Sequence, residues 1–331
     1  TGCCRADPTA LPESLEMRPA LSIVLFTTSS GAGFALLLLL GLGAPLRLLP
    51  ANALFAFVAL AVGVILAAGG LVSSAFHLGH PERAWRAFSQ WRSSWLSREG
   101  VLSVLTFVPL AVFGIGWVFF GATQGIVGLC GIIAAALAAV TVYCTGMIYA
   151  SLKPIRQWHN GWVVPGYLLL GLMGGCLLLD FLLRLWVRRA GWLALLSLVV
   201  VLVAWVAKEG YWRFIDTTSA PGTVASATGL GRRGRVRLFE APHTEENYLL
   251  HEMGFQIARK HARRLRRIAR LCGFALPAAA SLFAFVFAGA PGAAAAGVGV
   301  VVAALGLVVE RWLFFAEAKH TVTLYYGADA V

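Results

Sequence analysis

The stretch HLGHPERAWRAFSQWRSSWLSRE, residues 77–99, concentrates ionisable and aromatic groups between two long apolar runs. His77 closes the first run, Glu99 opens the second, and Pro81 breaks the chain between them. An ionisable group at the edge of hydrocarbon is costly unless it is paired or functional. A histidine titrates near neutral pH, and a carboxylate accepts and returns a proton. Together they suit a lipid-soluble molecule that exchanges protons through two oxygens, and a quinone meets that description. An interfacial belt, with tryptophans at head-group depth and arginines on lipid phosphates, explains the alternation of Arg83, Trp85, Arg86, Trp91, Arg92 and Trp95. It does not explain His77 and Glu99.

The elements that must position these residues are helices in a membrane. Of the 331 residues 59% are hydrophobic and 13% charged, about half the roughly 25% charged content of a soluble domain. A span needs about 20 mainly apolar residues. Residues 21–43, 53–76, 101–121, 125–150, 163–186, 190–207, 271–289 and 293–315 qualify or nearly so. The expected fold is therefore all-α and integral to the membrane: eight transmembrane helices, arranged as two four-helix bundles. The first run is too long for a signal-peptide core and is read as a retained helix. The expected organisation is a polar leader at 1–17, helices one to six at 18–207 carrying the 77–99 loop, a cytoplasmic basic segment at 208–270, and helices seven and eight with the tail at 271–331.

The net charge of +12 reflects topology rather than nucleic-acid binding, which is not expected. With eight spans, the termini and the loops after helices two, four and six share one side. That side carries 23 lysines and arginines against 4 on the other, and 10 against 4 without the long loop. The basic side is cytoplasmic by the positive-inside rule, which places the termini and any soluble partners in the cytoplasm, at a bacterial inner membrane.

Further polar groups gather on the same side. The loop after helix four brings Lys153, Arg156, Trp158 and His159, and with Trp95 two of these, Trp158 and His159, are candidate walls of the quinone site. The C-terminal part adds Glu310, Arg311, Glu317, Lys319 and His320. Residues 244–270 read as a basic amphipathic helix capped by Thr244, suited to anionic lipid or a partner protein. Asp180 and Arg184, four apart, read as a local ion pair. Thr27, Thr28, Ser29 and Ser30 in the first span read as close packing with hydroxyls bonded back to the helix, with a ligand contact as the alternative.

Several chemistries lack their apparatus. GLGRRG at 229–234 matches GxGxxG but follows no strand. Cys130, Cys144, Cys176 and Cys272 lie singly in apolar helices, and adjacent Cys3 and Cys4 lack cluster spacing. No metal site is expected. A b-type haem needs facing axial histidines, and only His77 lies near a helix interior, so no haem is expected and electrons would come from a partner.

The block HLGHPERAWRAF followed by SWLSRE resembles the signature of the DMSO reductase anchor subunit (DmsC) family, within the NrfD-like group. The resemblance runs from about Arg18 to Gly327. The segment LFEAPHTEENYLLHEMGFQIARKHA is similar to a proteobacterial subgroup that includes the anchor of membrane-bound sulfite dehydrogenase. The resemblance implies a molybdopterin catalytic partner and a ferredoxin-like iron-sulfur partner. The iron-sulfur clusters and molybdenum cofactor would belong to those partners, leaving quinone chemistry to this chain. It places the family's quinone-site histidine on His77, its acidic residue on Glu99 and its arginine on Arg83. His80 replaces a family serine, a departure that bears on proton handling. The cytoplasmic bias favours sulfite oxidation over the quinol-oxidising direction of a DMSO reductase-type complex. Two rivals are a secondary transporter, which would place charges near the bilayer midplane, and a stand-alone enzyme acting on lipid head groups.

Overall fold

A computed structural model of the protein describes residues 21–75, 80–187, 190–218, 222–236, 239, 256–319, 321 and 324. The leader, His77, residues 244–255 and His320 lie outside these. Among the described residues are eight helices long and apolar enough to cross a membrane: α1 (Leu21–Gly43), α2 (Ala53–Ala75), α3 (Trp95–Phe120), α4 (Gly125–Ala150), α5 (Val163–Trp186), α6 (Gly191–Thr217), α7, which spans the membrane at His261–Val286, and α8 (Ala290–Ala316). The protein is a multi-pass membrane protein, and with eight spans among the described residues the start of α1 and the end of α8 fall on one face.

α1 is the central strut. It packs against α2, α4, α5 and α8, while α5 packs against α1, α2, α4, α6 and α8. α3 lies on α4 and α2, α6 on α5 and α7, and α7 on α8. In hydrocarbon no hydrophobic force drives helices together, so close approach through small residues supplies the contact. A Cβ at Gly33 of α1 would stand 2.8 Å from the Gly63 carbonyl oxygen of α2. The α1 hydroxyls do not reach outward: Thr28, Ser29 and Ser30 donate to the carbonyls of Val24, Leu25 and Phe26 at 2.8, 2.7 and 2.6 Å. They are bonded back to their own helix, and Thr28 and Ser29 also line an apolar cavity between α1, α2, α5 and α8. The Asp180–Arg184 pair forms at 3.0 Å with both side chains 2% exposed.

Three helix limits move from those expected, each for a physical reason. α3 starts at Trp95 rather than residue 101, because the Ser94 hydroxyl caps it by accepting the Ser97 N–H. That start sets Glu99 in the second turn. α6 runs to Thr217 rather than ending at 207, because Lys208 and Glu209 find partners on neighbouring helices and need no aqueous loop. The helix at Gln256–Arg270 continues through a π turn at Leu271–Ala275 into Leu276–Val286. Pro277 has no N–H to give, and the wider turn before it, where the Leu276 N–H reaches the Leu271 carbonyl, absorbs the missing bond. The Gln256–Arg270 part of the basic segment is thus one rod with α7.

At the π turn α7 comes into close backbone contact with α8: a Cβ on Gly306 would overlap the Gly273 backbone. Gly306→Val should therefore force α7 and α8 apart, costing about 1–3 kcal/mol as overpacking. Gly69→Val, where an added Cβ meets nothing within 4 Å, should be nearly silent. Thermal midpoints of the two variants in detergent test this, and equal midpoints would show the contact to be loose.

Candidate functional site

The segment Pro81–Gln90 forms a 3-10 helix, and Phe88 folds back onto the start of α3, where a Cβ on Gly100 would be 3.2 Å from its ring. Arg98 fastens the end of the loop by donating to the carbonyls of Trp91 (3.0 Å) and Arg92 (2.7 Å). Its guanidinium lies 4.2 Å from the Trp95 ring, and Trp95 meets Tyr143 of α4 edge-on at 6.0 Å. These contacts fix the loop against the base of the α3–α4 pair.

Glu99 itself is buried, 3% exposed. Its carboxylate accepts the Thr145 hydroxyl of α4, and the Ser103 hydroxyl back-bonds to its main-chain carbonyl at 2.7 Å. One turn beyond Thr145, Tyr149 stacks on Tyr167 of α5 with centroids 5.6 Å apart. Tyr149 also meets Trp158, Phe314 and Phe315 edge-on. Trp158 is buried, and its indole N–H donates to the Phe314 carbonyl at 3.0 Å. A carboxylate with no cation beside it among the described residues, next to an aromatic wall, can exchange a proton with a flat, partly polar ring.

The other expected residues fall elsewhere. His80 and Arg83 are exposed and face Glu82, at 3.0 and 3.8 Å, rather than Glu99. His159 is exposed, and its Nδ1–H donates to the Ala150 carbonyl at 2.6 Å, which ties the loop to the end of α4. His77 lies outside the described residues. Among those residues no group of three His, Cys, Asp or Glu side chains is arranged to hold a metal ion.

Behind the aromatic wall lies a second buried cluster that the sequence did not mark as one. Lys208 of α6 pairs with Glu310 of α8, and the Arg311 Nε donates to the other Glu310 oxygen at 2.7 Å. The three are 5%, 0% and 4% exposed. Arg311 lies 4.2 Å from the Tyr167 ring and Lys208 4.0 Å from the Tyr211 ring. Toward the surface, Arg266 donates to both Asp216 oxygens at 2.6 and 2.9 Å and to Glu317 at 2.8 Å. Arg270 holds Glu209 at 2.5 and 3.0 Å. Burial pushes the Glu317 carboxyl above its usual range, with Arg266 opposing. The sequence places Lys208 in the loop after helix six and Arg311 among the polar groups of the C-terminal part, and does not join them. The available signal was spacing: Lys208, Tyr211 and Trp212 fall on one face of a continued helix, as do Thr145 and Tyr149.

The profile of the family described as DMSO reductase anchor subunit (DmsC) matches residues 17–252. The sequence is 31% identical over 330 residues to the C-subunit of sulfite dehydrogenase from Allochromatium vinosum, spanning 95% of this protein and all of that one. It is 30% identical over 171 residues to the C-polypeptide of the anaerobic dimethyl sulfoxide reductase of Escherichia coli, spanning 50% of this protein and 58% of that one. No solved structure matches significantly. With eight helices fit to span a membrane among the described residues, a profile match over most of the length and a relative among sulfite dehydrogenase subunits that aligns over 95% of it, the protein belongs to the DMSO reductase anchor subunit (DmsC) family.

Proposed function

We propose that this protein anchors a molybdenum and iron-sulfur oxidoreductase at the membrane and exchanges its electrons with quinone, with sulfite as the reductant. The observation that carries the reading is Glu99: a carboxylate buried at the membrane edge, held by Thr145 and backed by Tyr149 and its aromatic neighbours. A structural carboxylate at this depth would be expected to sit in an ion pair, as Glu310 and Asp180 do. Among the described residues Glu99 has a hydroxyl partner instead, and that leaves it able to take and return a proton. His77, closing the preceding apolar run, is the second proton-exchanging group. His80 and Arg83 on the exposed loop bear on the route by which the ring and its protons approach, and Trp95, Trp158 and His159 bound the same region.

Reduction of a quinone takes two electrons and two protons. An iron-sulfur partner docked on the basic face supplies the electrons, and the residues of this protein hold the ring and hand over protons. The same-length relative among sulfite dehydrogenases and the positive charge on the face of the termini favour sulfite as the electron source and a cytoplasmic position for the partners, at a bacterial inner membrane. The half-length similarity to a dimethyl sulfoxide reductase polypeptide supports the reverse direction as the second reading.

Purification of the complex from membranes tests the whole proposal. Two soluble subunits with iron, labile sulfide and molybdenum should accompany the protein, and sulfite should reduce an added quinone analogue. A protein that purifies alone, or a complex in which only reduced quinone driving dimethyl sulfoxide reduction gives turnover, would refute the partners or the direction respectively. Sidedness has its own test: a fluorescent protein fused after Val331 should fluoresce and an alkaline phosphatase fusion there should be inactive, since both report which side of the membrane the terminus occupies.

A further inference from the structure

A proton delivered to Glu99 must reach it from water, and the described surroundings of Glu99 are closed. The buried polar groups between Glu99 and the basic face are arranged in sequence. Thr145, bonded to Glu99, and Tyr149 are one turn apart on α4, and the Tyr149 ring stacks on Tyr167. Tyr167 and Tyr211 line a shared cavity between α5, α6 and α8, together with Lys208 and Arg311. That cavity offers about 20 Å³ to the centre of a water molecule, and about 10–15 Å³ accommodates one. The Tyr211 hydroxyl is buried with no hydrogen-bond partner among the described residues, and that of Tyr167, beside Arg311 and the Tyr149 hydroxyl, meets full hydrogen-bond geometry with neither. Buried hydroxyls are normally bonded, and a water in this cavity satisfies both. Glu317, near enough to act on Tyr211 electrostatically, has one carboxylate oxygen buried and unpartnered among the described residues and the other joined through Arg266 to Asp216, whose side chain is 56% exposed.

We propose that Tyr149, Tyr167, a water held in the cavity and Tyr211 form a lateral proton relay between Glu99 and Glu317 at the membrane face. The relay rests on the reading of Glu99 as the proton-exchanging group of the quinone site. Each tyrosine hydroxyl and the water both donates and accepts, so a proton taken up at Glu317 is passed on by successive O–H bond formation and cleavage. Two such passages accompany the two electrons that arrive separately from the partner. Arg311 cannot give up its proton. With Glu310 and Lys208 it is a positioning group, orienting the water and the Tyr167 and Tyr211 rings.

The test uses the purified complex with Tyr167→Phe and Tyr211→Phe, which keep the rings and remove only the hydroxyls. Sulfite-driven reduction of a quinone analogue is measured in H₂O and D₂O, alongside reduction of ferricyanide, which takes electrons from the partners without using protons at this site. Each variant should slow the quinone-coupled rate at least about tenfold and raise its solvent isotope effect. Quinone KM and the ferricyanide rate should stay unchanged. Full quinone-coupled rates in both variants would overturn the relay, as would slow rates with an unaltered isotope effect, which would mark a packing defect. Glu99→Gln, run in parallel, separates the two levels. If it is slow while both tyrosine variants are normal, the relay alone fails. If it is normal, the quinone-site reading fails and the relay with it.

Discussion

Glu99→Gln should leave the complex assembled and cut quinone-coupled turnover at least about tenfold, equivalent to about 1.4 kcal/mol of transition-state stabilisation. The amide matches the carboxyl in shape and can still accept the Thr145 hydroxyl, so packing of α3 against α4 is preserved. What it loses is the capacity to bind and release a proton. His77→Ala should give a loss of the same order by removing the second group proposed to exchange protons. The comparison that matters is within one preparation: iron and molybdenum content unchanged, ferricyanide reduction unchanged, quinone reduction slow. Normal quinone-coupled rates in both variants would sink the site assignment, and loss of the iron and molybdenum would mean that these residues hold the assembly together instead.

How much of this was legible beforehand depended on which signal the sequence carries. Span number follows from the length of apolar runs against bilayer thickness, and all eight are present among the described residues. Glu99 stood out because a carboxylate opening an apolar run is rare enough to demand a reason, and its burial agrees. The end of α6 and the start of α7 are hidden because charge in a sequence reads as the mark of a loop. Lys208 and Glu209 are charged yet helical, since Glu310 and Arg270 reach them from other helices. A sequence displays charges but not their long-range partners. Tyr149 and Tyr167 were invisible for the opposite reason: a tyrosine in an apolar helix reads as an apolar ring, and only the fold shows it beside another polar group. His80, Arg83 and His159 were singled out for their chemistry. Their observed partners, Glu82 and the Ala150 carbonyl, are local and could have been anticipated from spacing.

The Lys208, Glu310 and Arg311 cluster yields the largest expected effect on stability, and its sign follows from counting charges. Two cations and one anion lie within helices α6 and α8, at most 5% exposed. Glu310 touches both cations. Glu310→Gln strips the shared counter-ion and leaves two buried positive charges side by side, and removing one partner of a buried pair costs about 3–5 kcal/mol. Lys208→Met instead leaves Arg311 with Glu310, a balanced pair still bonded through Nε, while the methionine side chain refills most of the volume. Its cost should be much smaller, because an ion pair replaced in part by apolar packing is often near neutral. Asp216→Asn, at a side chain 56% exposed, should cost no more than about 1 kcal/mol. The predicted order of destabilisation is therefore Glu310→Gln far above Lys208→Met, with Asp216→Asn close to native. The thermal midpoint and monodisperse yield in detergent would read it. If Lys208→Met proves as damaging as Glu310→Gln, the lysine is needed for more than charge balance, and the cluster is held by the triad as a whole rather than by the anion at its centre.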